Sequence, residues 1–174
     1  MILLTGYGPF GDVQDNPSAR LVRAVHGLSA AGHRLHALVL PVSWAHGPAA
    51  VVSAARALKP ALILGFGVAT TRTEVRVEAL GTGVRDGADA DGKAAPASDA
   101  SIVSATVDVA AFAAALSAGV SQDAGKFLCN AWIAEVTPNV TCPAVFVHVP
   151  PEGMAPDRLL RALDALPTWA NAAY

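Results

Sequence analysis

The sequence predicts an α/β fold, with a three-layer αβα arrangement around a mainly parallel, twisted sheet, in a single domain spanning residues 1–174. Three observations predict it. Short apolar segments alternate with segments of helical spacing along nearly the whole chain. Residues 61–66 (ALILGF) contain no polar side chain, as expected for a central strand that is covered on both faces. Neither an internal repeat nor a second domain is evident, and the length suffices for one domain with a real core.

The N-terminal half contains the clearest strand and helix signals. Its predicted strands are residues 1–5 (MILLT), 34–39 (RLHALV) and 61–66. Its predicted helices are residues 17–27 and 48–58. The first helix has a defined start, because Asn16 is suited to the N-cap and Pro17 to the first helical position. Lys59 and Pro60 end the second helix.

The C-terminal half begins with an alternating segment, residues 73–80 (TEVRVEAL), which predicts a strand with one solvated or functional face. Its side chains divide between two sides, with Val75 and Val77 on one and Glu74, Arg76 and Glu78 on the other. Residues 85–100 are rich in Asp, Gly and Ala and predict a mobile loop. The remaining predicted elements are helices at residues 107–116 and from residue 124 or 125 to about 136, a strand at 144–149 (AVFVHV) and a closing helix at 155–169.

Composition and charge exclude several classes of function. The formal net charge of −2 gives no basic surface for nucleic acid, so no nucleic-acid partner is expected. Although 53% of the residues are hydrophobic, no apolar run approaches the roughly 18 to 20 residues that span a bilayer, so no membrane association is expected. Two cysteines in a chain without a recognisable export signal are typical of a reducing compartment. We therefore expect a soluble cytoplasmic protein.

A glycine-rich loop at residues 6–11 (GYGPFG) matches the dinucleotide-binding pattern G-x-G-x-x-G. The mechanism of that motif is missing, because the helix starts only at Pro17 and no Asp or Glu occurs in residues 16–73 to hold a ribose. A nicotinamide-dependent oxidoreductase is therefore disfavoured. The same loop carries Tyr7 and Phe10, which either pack it onto the sheet or form a wall for a small molecule.

A cysteine, a histidine and a glutamate form the candidate chemical set. Cys129 is predicted near a helix start, where unpaired N–H groups stabilise a thiolate; the alternatives are a buried structural cysteine and a disulfide with Cys142. His148 ends an apolar strand at the sheet edge where ligands bind, although a lone strand histidine is more often a core residue. Glu78 is then placed to orient the imidazole, as in Cys–His–carboxylate catalysis. No metal site is expected, because the spacing of the cysteines and histidines does not match that of zinc ligands.

Four segments resemble, in order, the motifs of the pyroglutamyl peptidase I (pyrrolidone-carboxylate peptidase) family: TGYGPFG followed by NPS, TRTEVRVE, AGKFLCN and FVHVP. The resemblance extends from Leu4 to about Pro150. Members of this family are cysteine exopeptidases that remove an N-terminal pyroglutamyl residue from peptides. The resemblance implies Cys129 as nucleophile, His148 as base and Glu78 as acidic partner, a thioester acyl-enzyme, and neither a metal nor an organic cofactor. By analogy with the family, a homo-oligomer, dimer or tetramer, is expected.

The resemblance also implies a substrate pocket. The residues that it assigns to substrate binding are Tyr7, Phe10, Asn16, Arg85, Phe127 and Leu128. The aromatic members of this set are expected to enclose the flat lactam ring, and Arg85 is expected near the scissile carbonyl. The chain departs from the family pattern at Ala79, where arginine is usual, and at Val68, where bacterial relatives often have glutamine. These departures leave an alternative, a catalytically impaired relative that binds a small lactam or a peptide terminus without turnover.

Overall fold

The computed structural model describes residues 1–166, and a sheet of seven strands lies at its centre. The strands are β1 (Ile2–Tyr7), β2 (Ser29–Ala30), β3 (His33–Leu40), β4 (Leu62–Val68), β5 (Arg76–Glu78), β6 (Leu80–Thr82), β7 (Ile102–Ser104), β8 (Gly119–Ser121) and β9 (Ala144–Val149). The central sheet has the strand order β2-β3-β1-β4-β9-β5-β8, and β6 pairs with β7 in a separate two-stranded sheet. The four longest strands, β3, β1, β4 and β9, are adjacent and parallel. Their carboxyl ends therefore lie at one edge of the sheet, which is where open α/β sheets bind ligands.

Helices cover both faces of the sheet. They are α1 (Pro17–Val25), α2 (Gly47–Leu58), α3 (Val109–Ala115), α4 (Leu128–Val136) and α5 (Pro156–Asp164). Side chains of α1, α3 and α5 belong to one hydrophobic cluster, and side chains of α2 and α4 belong to another. Successive residues of β1 alternate between the clusters, with Leu3 in one and Leu4 in the other. The predicted α/β class, with helices on both faces of a mainly parallel sheet, is confirmed.

The helix start predicted before α1 is present in detail. Asn16 caps the helix, because its Oδ1 accepts a hydrogen bond from the backbone N–H of Ser18 at 3.0 Å. Pro17 occupies the first helical position, where its missing N–H costs nothing. The helix ends at Val25, two residues before the predicted end at Gly27. Local capping chemistry thus fixed the start of this helix more closely than periodicity fixed its end.

The helix α4 begins at Leu128 and not at residue 124 or 125, where the sequence predicted it. The reason lies in a turn that precedes it. Gly125 has a φ of +77°, in the left-handed region, and donates its N–H to the carboxylate of Asp123 at 2.9 Å. The later start places Cys129 in the first turn of the helix.

The alternating segment at residues 73–80 forms a shorter strand than predicted. Only Arg76–Glu78 joins the central sheet, and the chain then turns away to form β6. On this polar side of the segment Glu78 is buried at 0% exposure, whereas the side chains of Arg76 and Glu74 are 38% and 68% exposed. The buried carboxylate of Glu78 contacts the side chains of His148 and Arg72.

Two further predictions concern the loop at residues 85–100 and the closing helix. Residues 85–100 contain no helix and none of the strands β1 to β9. Within them the buried carboxylate of Asp89 accepts backbone hydrogen bonds from Trp44, Asp91 and Lys93, and the mobility of the loop stays a prediction. The closing helix is present as α5, and its predicted end at residue 169 lies outside the described residues.

Candidate active site

Two glycines of β4 let α4 lie unusually close to the sheet. A Cβ atom at Gly65 would come within 2.7 Å of the Trp132 ring of α4. A Cβ atom at Gly67 would come within 2.5 Å of Sγ of Cys129. Real Cβ atoms do not make such contacts, so any larger residue would push α4 outward. The thiol of Cys129 therefore rests on the backbone of β4 at Gly67.

The imidazole of His148 lies beside this thiol because of the sheet register. His148 of β9 is the cross-strand partner of Gly67, and its side chain is buried at 5% exposure. Burial alone would lower the pKa of His148. The negative charge and hydrogen bond of Cys129, together with the hydrogen bond and charge of Glu78, instead raise it to about 9. The imidazole thus keeps its proton between two acidic groups.

Glu78 completes the contact on the far side of the imidazole. The strand β5 is antiparallel to β9, with Glu78 opposite Phe146 and therefore diagonal to His148. Its Oε1 lies 2.7 Å from Nδ1 of His148. Burial would raise the pKa of the Glu78 carboxyl, but hydrogen bonds and charge from its neighbours, first of all His148, lower it. The fold brings together three side chains, on α4, β9 and β5, that are far apart in the sequence.

Arg72 also belongs to this cluster, and it is not among the site residues predicted from the sequence. Its Nη1 donates to Oε1 of Glu78 at 2.6 Å. Its Nη2 donates to Oγ of Ser121 at 3.1 Å and to the carbonyl oxygen of Asp123 at 2.6 Å. Arg72 thereby ties Glu78 to the turn that precedes α4. The available signal was its place in TRTEVRVE, directly after a strand whose carboxyl end lies at the ligand-binding edge.

A cavity of about 570 Å³ opens onto the thiol and the imidazole. Among the side chains that line it are Tyr7, Phe10, Asn16, Phe127, Leu128 and Val68, together with Arg72. The ring of Phe127 lies 5.4 Å from that of Phe10 and 5.1 Å from that of Trp44, measured between centroids. The cavity therefore has an aromatic side, and Trp44 is a supporting residue that the sequence analysis did not predict.

Two of the lining residues already have protein partners for their polar atoms. Nδ2 of Asn16 donates to the carbonyl oxygen of Gly8 at 3.0 Å, and its Oδ1 serves the N-cap of α1. The hydroxyl of Tyr7 donates to the carbonyl oxygen of Leu128 at 2.9 Å. Asn16 therefore shapes the loop at the mouth of the cavity, while Tyr7 connects this loop with the first residue of α4.

Arg85, which the resemblance assigns to substrate binding, makes an ion pair with α4. Among the described residues it is not part of the cavity lining. Its Nη2 lies 3.0 Å from Oε1 of Glu135, a half-buried carboxylate on α4 whose pKa is raised by burial. This ion pair holds the guanidinium on α4, and a role of Arg85 near the reacting carbonyl stays a prediction.

The other sulfur and nitrogen ligands do not form a second centre in the described part of the chain. Cys129 and Cys142 are both free thiols, so the disulfide alternative is wrong for this structure. No group of three or more His, Cys, Asp or Glu within residues 1–166 is arranged to hold a metal ion. The rings of His26 and His36 lie with their centroids 5.2 Å apart. None of the helices within residues 1–166 has both the length and the apolar character needed to cross a membrane.

Comparison with known protein families identifies the group to which this site belongs. A family model described as pyroglutamyl peptidase matches residues 1–157. The chain belongs to the pyroglutamyl peptidase family. This match covers the motifs that carry Cys129, His148 and Glu78, so the resemblance noted in the sequence is confirmed at the level of the family.

Individual relatives agree with this family assignment. The chain is 29% identical to the pyrrolidone-carboxylate peptidase of Escherichia fergusonii over an alignment that covers 94% of this chain and 89% of the relative. It is 31% identical to the enzyme of the same name from Chromobacterium violaceum, with coverage of 86% and 77%. The alignments therefore include most of each chain and extend well beyond a shared motif.

Solved structures of the pyroglutamyl peptidase family share the fold. The pyrrolidone carboxyl peptidase from Thermococcus litoralis superposes with a TM-score of 0.84 at 23% identity, covering 96% of this chain and 91% of that chain. The pyrrolidone carboxyl peptidase from Fervidobacterium islandicum AW-1 gives a TM-score of 0.83 at 25% identity, with coverage of 97% and 98%. The fold described above is therefore shared with these two solved structures.

Proposed function

We propose that this protein is a cysteine exopeptidase that removes an N-terminal pyroglutamyl residue from peptides, with Cys129 as nucleophile, His148 as proton carrier and Glu78 as the group that orients the imidazole. One observation carries the assignment of residues. A thiol, an imidazole and a carboxylate form an unbroken series of contacts at the wall of a cavity, at the ligand-binding edge of the sheet. Membership in the pyroglutamyl peptidase family supplies the substrate class.

The reaction follows from the positions of these groups. The sulfur of Cys129 bonds to the carbonyl carbon of the pyroglutamyl residue, and the π electrons of the carbonyl move onto its oxygen. When the carbonyl forms again, the C–N bond breaks, and the departing nitrogen takes the proton held by His148. A water molecule, deprotonated by the same imidazole, then cleaves the thioester and releases pyroglutamate.

The developing oxyanion has a backbone donor close by. Cys129 lies in the first turn of α4, where N–H groups have no intrahelical partner. The N–H of Cys129 is therefore free to donate to the oxygen of the tetrahedral intermediate, which is a favourable position because the helix N-terminus is electropositive. Donors of this kind typically contribute about 10²- to 10³-fold to turnover.

The cavity suits a pyroglutamyl terminus in its shape and polarity. This terminus is a flat lactam without an ammonium group, so it needs no buried carboxylate as a partner. The rings of Tyr7, Phe10 and Phe127 provide an apolar wall of the kind that stacks against a planar ring. Val68 also lines the cavity and offers no side-chain hydrogen bond to the lactam, which favours the alternative of a binder with impaired turnover.

Hydrolysis of a fluorogenic pyroglutamyl amide distinguishes the peptidase from a binder. We expect thiol-dependent release of the fluorophore by the wild-type chain and loss of at least about 10³-fold in Cys129→Ala. Cys142→Ala is the matched control, and its turnover is expected to stay within about twofold of wild type, since Cys142 lies outside the cavity lining. Saturable binding of the amide without release by the wild-type chain would support the binder instead.

The proposal also covers the setting in which the enzyme acts. A catalytic thiol must stay reduced, so a reducing compartment such as the cytoplasm suits this site. Assembly into a dimer or tetramer stays a prediction, which sedimentation velocity tests. The assignment of residues 1–174 to one peptidase domain also stays a prediction, and a single cooperative unfolding transition is the expected result.

A further inference from the structure

The hydroxyl of Tyr7 makes a contact that a substrate wall does not require. The ring of Tyr7 is 4% exposed, and its Oη donates to the carbonyl oxygen of Leu128 at 2.9 Å. The two residues are 121 positions apart in the sequence, so the hydrogen bond joins the N-terminal loop to the start of α4. A phenylalanine would provide the same apolar surface, and the hydroxyl therefore has another effect to be explained.

The bonded carbonyl belongs to the peptide unit that carries the N–H of Cys129. Because a peptide unit is planar, fixing the carbonyl of Leu128 also fixes the direction of the N–H of Cys129. A hydrogen bond accepted by a carbonyl polarises the peptide and makes its N–H a stronger donor. At the same point α4 has no side-chain cap, since Phe127 makes no capping hydrogen bond. The hydroxyl of Tyr7 is a donor and does not replace this cap, but it ties the first residue of α4 to the N-terminal loop.

We propose that Tyr7 is a positioning residue that orients and polarises the Leu128–Cys129 peptide, so that the N–H of Cys129 points at the oxyanion. The inference rests on the proposed function, because it concerns an intermediate of the hydrolysis. It gives the hydroxyl a role separate from that of the ring. The ring contacts the lactam and affects substrate binding, whereas the hydroxyl affects the tetrahedral intermediate.

The test is Tyr7→Phe, which removes one oxygen and keeps the ring. We expect kcat to fall about tenfold with KM within about twofold, because the lost hydrogen bond acts on the intermediate more than on bound substrate. The rate at which iodoacetamide alkylates Cys129 should stay within about twofold, since alkylation forms no oxyanion. The melting temperature of each protein shows that folded enzymes are being compared.

Three results would overturn this inference. An unchanged kcat means that the hydroxyl does not serve the oxyanion, and a rise in KM alone means that it binds substrate. An equal loss in turnover and in alkylation means that Tyr7 acts on the sulfur. In each case the wild-type chain still cleaves the amide, so the proposed function survives. If the wild-type chain fails to cleave the amide, the proposed function itself has failed.

A pyroglutamyl aldehyde provides a second measurement that does not depend on turnover. The thiol adds to the aldehyde carbonyl, forming a C–S bond while the π pair moves to oxygen, so the adduct resembles the tetrahedral intermediate. We expect Tyr7→Phe to weaken this inhibitor about tenfold and to leave the affinity for free pyroglutamate unchanged. Equal weakening of both ligands would contradict the proposal.

Should Tyr7→Phe not fold, 3-fluorotyrosine incorporated into a Tyr174→Phe chain tests the same hydrogen bond. The chain has two tyrosines, so Tyr7 is then the only labelled position. Fluorine makes the phenol a stronger hydrogen-bond donor. An increase in kcat is expected, and an unchanged kcat would count against the inference.

Discussion

The two cysteines present the same thiol in two surroundings. Both are free, and both are half-buried. Cys129 lies in the first turn of α4, on the backbone of Gly67 and beside the imidazole of His148. Cys142 lies just before β9 and shares a surface cavity with Arg56 and Lys59, and it is not in the first turn of any of the helices α1 to α5. Exposure therefore does not distinguish the two sulfurs. A cationic residue nearby does not distinguish them either, since each sulfur has one in its surroundings.

The difference lies in how firmly the charged partner is held. Burial raises the pKa of the Cys142 thiol, and no neighbouring cation offsets this effect. His148 is fixed next to Cys129 by strand register on one side and by Glu78 on the other. A reactive thiol thus depends on a positioned acid–base partner more than on access to solvent.

Removing the charge of Glu78 is expected to have the largest effect on turnover among the variants considered below, because it acts on the partner that only Cys129 has. In Glu78→Gln the shape is kept, but Nδ1 of His148 loses its anionic partner. We expect kcat to fall by about 10²- to 10³-fold with a much smaller rise in KM, since the carboxylate orients the imidazole and does not bind the lactam. Steady-state kinetics on the pyroglutamyl amide measure both constants. A variant that raises KM and preserves kcat would mean that Glu78 binds substrate.

Alkylation by iodoacetamide at neutral pH compares the two sulfurs directly. We expect Cys129 to react about 10²-fold faster than Cys142, because the imidazole of His148 lies beside Cys129 whereas burial raises the pKa of the Cys142 thiol. Peptide mapping by mass spectrometry assigns each label. In His148→Ala the rate at Cys129 should fall towards that of Cys142. Equal and slow labelling of both sulfurs in the wild-type chain would refute the contrast.

Two arginines, Arg72 and Arg85, can be compared in the same way as the two cysteines. Arg72 contacts Glu78 and the turn before α4, whereas Arg85 pairs with Glu135. We expect Arg72→Met to lower kcat/KM about tenfold, because Glu78 and the turn lose a shared donor. Arg85→Met is the control, with kcat/KM expected within about twofold of wild type. A larger loss in Arg85→Met would support the role that the family resemblance implied.

Much of this arrangement could be predicted from the sequence, and the failures have physical causes. Strand β9 was predicted with its observed ends, because it is apolar apart from His148 and is bounded by Pro143 and Pro150. The start of α4 was misplaced because the left-handed turn at Gly125 reads like the beginning of a helix. Strands β2, β6, β7 and β8 have only two or three residues each, which is too few for periodicity to reveal.

The three central residues of the site were predicted from motifs. The arginine that contacts Glu78 was not. The resemblance pointed to Cys129, His148 and Glu78, which the fold brings together, although their catalytic roles await the experiments above. Arg72 and Arg85 are equivalent in charge and both lie in polar segments, so sequence alone did not tell which one faces the cavity. The positions of the two arginines depend on the ion pairs that form on folding, Arg72 with Glu78 and Arg85 with Glu135.

A final expected effect is the pH dependence of the free energy of unfolding, which again distinguishes the two cysteines. The pKa of His148 is raised from about 6.5 to about 9 in the folded chain. Its stabilisation is therefore fully present below about pH 6.5 and is lost as the pH rises through about 9. We expect the free energy of unfolding of the wild-type chain to fall by about 1 to 3 kcal/mol across this window. In Cys129→Ala the loss should be smaller, because the largest cause of the raised pKa is gone.

Cys142→Ala is the control for this measurement, and urea unfolding at pH 6.5 and at pH 9 provides the values. Between these two pH values the free energy of unfolding of Cys142→Ala should fall by the same amount as that of the wild-type chain, apart from the small contribution of the Cys142 thiol itself. Glu78 does not confuse the result, since its pKa is lowered and its stabilisation disappears only in acid. Equal losses in wild type and Cys129→Ala would mean that the sulfur of Cys129 does not hold the proton on His148.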